Sequence, residues 1–142
     1  MGAALRGQVK EWFEAAVLDM GSARRAFRDG DYPDACFHSQ QAAEKALKAF
    51  MRANGVIPWG HDVEGLLRRA VDFDLPLRHL LSRGGELRFL SEQYIAPRYP
   101  DYRVERGITL SDYTEERARR CLELAEEIFE EVRGWLVERE LI

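Results

Sequence analysis

The chain has 142 residues, 46% of them hydrophobic and 32% charged, with a formal net charge of -4. That size and balance fit one folded domain and exclude wholesale disorder. The acidic balance also excludes a strongly basic nucleic-acid clamp, while leaving room for a local basic face.

Helical periodicity begins at once: Val9, Trp12, Phe13, Ala16, Met20, Ala23 and Phe27 recur at steps of three and four and define one apolar face. Asp29-Gly30 reads as the stop of this helix, because Gly accepts the left-handed conformation that closes helices. Asp31 is placed to cap the next one, with Pro33 in its first turn, where a missing N–H costs nothing. The second helix, about 32–53, carries three stripes. Cys36, Gln40, Ala43, Leu47 and Phe50 form a core seam. Ala35, Ser39, Ala42, Ala46, Ala49 and Ala53 form a row of small residues that admits another helix closely, either within the chain or from a second copy. His38, Gln41, Lys45, Lys48 and Arg52 form a polar, basic ridge. Asn54-Gly55 ends the helix.

A loop with Pro58, Trp59 and Gly60 follows, then a short helix over about 62–72 carrying Val63, Leu66, Leu67 and Ala70. A fourth helix starts at Asp74 and holds Leu77, Leu80, Leu81, Leu87, Leu90 and Tyr94. Gly84-Gly85 interrupts it, and either kinks the helix or admits a close neighbour. Residues 95–110, bracketed by Pro97 and Pro100, read as irregular. Asp112 with Glu115 fits a capping box for a last helix over about 112–139. One face of that helix carries Ala118, Cys121, Leu122, Ala125, Ile128, Phe129, Val132, Trp135 and Leu136. Its Glu-rich opposite face is interleaved with Arg for pairing. Strand signals are absent. The fold class expected is all-α: an up-and-down four-helix bundle with one additional short helix, in a single domain over 1–142 with its core at about 8–138.

Chemical motifs are sparse. Cys36 and Cys121 lie on apolar faces and read as inert buried thiols. His38, His61 and His79 have no zinc spacing, so no metal or cofactor is expected. No apolar run reaches the roughly 20 residues that span a bilayer, and Met1 to Lys10 has no signal-peptide stretch; the expectation is a cytoplasmic chain without a membrane partner.

One run is specific. Tyr32-Pro33-Asp34-Ala35-Cys36-Phe37-His38-Ser39-Gln40-Gln41-Ala42-Ala43-Glu44-Lys45-Ala46-Leu47-Lys48 closely resembles the signature of HEPN domains, the higher eukaryotes and prokaryotes nucleotide-binding family. His61 after the helix-two turn, the Arg98-Tyr99-Pro100-Asp101 tract and the Ala- and Glu-rich final helix follow in the order of that family. The resemblance implies a small homodimeric α-bundle, often paired with a minimal nucleotidyltransferase in toxin–antitoxin-like systems. It also implies, for a large subset of relatives, metal-independent ribonuclease activity carried by an Arg followed four to six residues later by a His. This sequence lacks that motif: Arg52 stands nine residues before His61, and no His follows Arg98. No catalytic residue is therefore assigned, and the nucleotide-binding or partner-binding branch is the better match.

The candidate nucleotide- or phosphate-binding set is the ridge His38, Gln41, Lys45, Lys48 and Arg52, with Arg98, Tyr99 and Asp101 from the irregular segment. Arg can hold phosphate and a neighbouring aromatic can stack a base. For each a structural role stands beside the functional one: His38 as a helix-interface hydrogen bond, Arg98 as a partner of Asp101, Gln40 as a satisfied core amide, His61 as an anchor to a neighbouring helix. Two further readings compete with binding: a divergent ribonuclease that joins His38 to Arg98, and a dimerisation module with no ligand.

Overall fold

The computed structural model describes residues 1–142, and it is helical throughout with no strand. Six α-helices follow in order: α1 (Ala3–Arg28), α2 (Tyr32–Ala53), α3 (Val63–Ala70), α4 (Gly84–Glu92), α5 (Pro100–Arg106) and α6 (Glu115–Glu138). Short 3-10 turns cover Arg78–Arg83 and Leu110–Asp112.

α1 and α2 form an antiparallel hairpin with the most extensive packing in the molecule, and α6 closes against both. The apolar stripe of α1 is buried at Val9, Phe13, Ala16, Met20 and Ala23. Phe13 stacks on Phe129 of α6 at 5.1 Å between centroids. The row of small residues on α2 lies inside the chain: Ala35, Ala42, Ala46 and Ala49 are fully buried, which is what lets α1 approach so closely. Both turns expected at Gly close as left-handed caps. Gly30 has φ 81°, and the Asp31 N–H donates back to the Ala26 carbonyl. Gly55 has φ 77°, and the Val56 N–H donates to the Met51 carbonyl. Asp31 does occupy the N-cap of α2, yet its side chain accepts no capping hydrogen bond.

The fourth side of the bundle differs from a long helix. α3 buries Val63, Leu66, Leu67 and Ala70 as expected. The Leu-rich segment behind it is broken into the 3-10 turn and α4, which restarts at Gly84. The two roles open for Gly84-Gly85 are combined in one residue. The helix changes type at Gly84, and a Cβ there would come 3.0 Å from the Arg88 Nη1 and 3.4 Å from the Glu64 Oε2, so α3 is the close neighbour.

The segment 95–110 is also more ordered than its two prolines indicate. Pro100 starts α5, and Gly107 at φ 68° ends it. The helix escapes periodicity because it has no buried residue. At the last helix, the capping box joins Thr109 to Asp112 and belongs to the 3-10 turn, whereas Thr114 caps α6 by accepting from the Arg117 N–H. The Arg–Glu pairs of that helix are present, as Arg119–Glu115, Arg120–Glu116 and Arg133–Glu130.

Candidate functional site

α2 presents its polar side to α1, to the loop 55–62 and to the segment after α4. Because α1 sits so close to the small-residue row, the neighbouring row on α2 meets α1 side chains. Asp19 receives both His38 and Lys45: the His38 Nδ1 lies 2.9 Å from Oδ1, and the Lys45 Nζ donates to Oδ2 at 2.6 Å. Burial alone would raise the Asp19 carboxyl, but the hydrogen bonds and charges of His38 and Lys45 outweigh it and hold it below the usual carboxylate range. Arg52 donates to Gln8 through Nε at 3.0 Å and Nη2 at 2.7 Å, and to the Val56 carbonyl through Nη1 at 3.1 Å.

A second carboxylate is buried deeper. Glu44 has a side chain only 4% exposed. The Lys48 Nζ donates to its Oε2 at 3.1 Å and also rides over the Trp12 ring at 5.2 Å. Gln40 and His61 converge on its other oxygen, at 2.9 Å and 3.0 Å. The same Gln40 amide reaches the His61 carbonyl at 3.1 Å, and Gln41 donates to the Gln40 Oε1 at 2.6 Å. Gln40, Glu44 and Lys48 thus all have partners, as burial requires. The basic ridge is largely tied off: His38, Lys45, Lys48 and Arg52 spend their hydrogen bonds on Asp19, Glu44, Gln8 and backbone.

The open part of this side lies next to Phe37. The Arg98 guanidinium carbon lies over the Phe37 ring, 3.8 Å from its centroid, and His38 meets the same ring edge-on at 5.1 Å. Arg98 is exposed and forms no ion pair; Asp101, its expected partner, stands in the first turn of α5 without pairing to it. Tyr99, 58% exposed, is the N-cap of that helix. Further along α2, the His61 ring stacks on Tyr94 at 4.6 Å with an interplanar angle of 19°. The fold therefore brings Arg98, Phe37, His38, Gln41, His61 and Tyr94 onto one face. Asp19 and Glu44, which organise that face from beneath, are outside the set taken from sequence. Their signals exist but are faint: Asp19 stands seven residues after Trp12 at the edge of the apolar stripe, and Gln40, Glu44 and Lys48 form an i, i+4, i+8 row beside the core seam.

Elsewhere, Cys36 and Cys121 are both buried. A hydrogen bond to Cys36, together with burial, pushes the Cys121 thiol well above its usual range, the opposite of an activated nucleophile. Burial likewise pushes up the neighbouring Tyr113 phenol. No helix is long and apolar enough to cross a membrane.

The face can hold an anion at Arg98 and a planar group against its aromatic rings. The fold that carries it recurs in known proteins. A family model described as the HEPN domain matches residues 9–135. The "Putative toxin MJ1304" of Methanocaldococcus jannaschii is 33% identical over 136 residues, covering 92% of this chain and 89% of that protein. Among solved structures, TT1696 from Thermus thermophilus superposes with a TM-score of 0.74 at 32% identity, over 89% of this chain and 97% of the other. ST0689, described as an archaeal HEPN homologue, gives a TM-score of 0.69 at 35% identity, over 90% of this chain and 97% of the other. A match over nearly the whole chain, in sequence and in fold, places this protein in the HEPN domain family.

Proposed function

We propose that this protein is the HEPN component of a two-component, toxin–antitoxin-like system, acting as a homodimer that binds a nucleotide and pairs with a minimal nucleotidyltransferase. The toxin name carried by the Methanocaldococcus relative supports the system. The observation that carries nucleotide binding is Arg98. Its guanidinium carbon sits 3.8 Å from the Phe37 ring centroid and the group has no carboxylate partner, so its N–H donors are free for a phosphate oxygen while the ring holds its position. Tyr99 follows Arg98 directly in the chain, and Asp101 stands in the first turn of α5.

Isothermal titration of the purified protein with the four ribonucleoside triphosphates, alone and with a co-expressed minimal nucleotidyltransferase, tests this reading. Binding is expected, and Arg98→Ala weakens it about tenfold or more, the loss of a charge-assisted hydrogen bond. No binding in either preparation rejects the proposal. RNA cleavage is the second reading, favoured by His38 and Arg98 meeting the same Phe37 ring. The same preparations, incubated with RNA in chelator, distinguish it from binding alone.

A further inference from the structure

Glu44 and His61 form a pair that the ridge and the Arg98 segment do not include. The carboxylate is buried among three donors: Gln40 and His61 on Oε1, and Lys48 on Oε2. A carboxylate so placed only accepts, so the proton of the neutral His61 ring resides on Nδ1. The Gln40 bond to the His61 carbonyl fixes the backbone, and the Tyr94 stack fixes the plane of the ring. Nε2 is left with no partner in the chain, on a side chain 55% exposed to solvent. In the neutral ring that nitrogen is a lone pair held at a set position and angle.

That lone pair selects its ligand. It repels a phosphate oxygen, which is also an acceptor, and pairs with a hydroxyl or N–H donor. In a nucleotide these donors are the ribose hydroxyls and the N–H groups of the base, and the ribose is the nearer of the two to the phosphates. The spacing agrees: α2 rises roughly 10 Å from Phe37, beneath Arg98, to Glu44, beneath His61. That is comparable to the span of a nucleoside triphosphate from its sugar to its outer phosphate. We infer that His61, oriented by Glu44, accepts a hydrogen bond from a ribose hydroxyl and makes this face selective for ribonucleotides over deoxyribonucleotides. The inference rests on the nucleotide-binding reading above and adds the sugar to it.

Two measurements test it on the full chain. First, affinities for the ribonucleoside triphosphates are compared with those for their 2′-deoxy and 3′-deoxy counterparts. One of the deoxy series is expected to bind about tenfold more weakly, the effect of one hydrogen bond at a half-exposed site. His61→Phe, which retains a ring to stack on Tyr94, brings that ratio toward one. Equal affinities in the wild type, or an unchanged ratio in His61→Phe, overturn the inference while leaving nucleotide binding in place. Absence of binding by every sugar overturns both. Second, nitrogen-15 chemical shifts of the His61 ring at about pH 8, where a histidine is ordinarily neutral, report the tautomer directly and need no ligand. A proton on Nδ1 is expected, and a proton on Nε2 refutes the assignment.

Discussion

Replacing Asp19 with Asn removes one charge from the seam between α1 and α2 and changes little else. The native carboxylate, 13% exposed, takes His38 at 2.9 Å and Lys45 at 2.6 Å. Hydrogen bonds to charged groups contribute about 1.5–3 kcal/mol each. The Asn oxygen still accepts from one donor, and His38 and Lys45, each 26% exposed, regain water. The net loss at neutral pH is therefore about 2 kcal/mol, below the cost of stranding a fully buried charge. For a chain of this length that is a fall of roughly 7 °C in Tm. The dependence on pH has a definite sign. Folding lowers the Asp19 carboxyl, so its contribution is complete above the ordinary carboxylate range near 3.9 and is lost as pH falls through the lower folded value. Urea unfolding followed by circular dichroism at pH 7, 5, 4 and 3 should show a wild-type advantage that narrows only below about pH 4. Equal stability at pH 7, or an advantage that stays constant into acid, refutes the charge-based account.

Ala42→Leu inserts a branched side chain where the α1–α2 seam has no space, since Ala42 is fully buried; a loss of about 2–3 kcal/mol in urea unfolding is expected, as for other overpacked cores. The two thiols should resist an aromatic disulfide reagent in the native protein and react fully once it is unfolded, because both are buried and Cys121 is held in its neutral form; rapid labelling of the native protein would contradict this.

The long helices were legible because α1, α2 and α6 each bury a continuous stripe, and burial is what periodicity reports. α3 was legible for the same reason, although it has only eight residues. α5 was not, since it buries nothing; only Pro100 and Gly107 mark its ends. The segment 74–94 carries the Leu pattern of a continuous helix; in the fold the helix type changes at Gly84, where Glu64 of α3 is a near neighbour, and such a neighbour is something a one-dimensional pattern cannot contain. The same limit applies to the polar face. The spacing of His38, Lys45 and Arg52 places them on one ridge, but the groups that occupy their hydrogen-bonding capacity come from α1, at Asp19 and Gln8. Sequence orders residues along one helix; the packing angle of the next helix decides which of them stay free.

The tying-off of that ridge has a consequence for any ligand. Long cationic side chains on an open surface lose rotamer freedom when they close on an anion, at about 0.5–1.5 kcal/mol for each one immobilised. Here Lys45, Lys48 and Arg52 are already held, the Arg98 guanidinium is laid on Phe37, and the His61 ring is fixed on Glu44 and Tyr94. All of these supports except Tyr94 and Arg98 itself stand on or against α2, the helix that also packs on α1, α3, α4 and α6. The face is thus preorganised by the hydrophobic core beneath it. Few side chains on this face are left to be ordered.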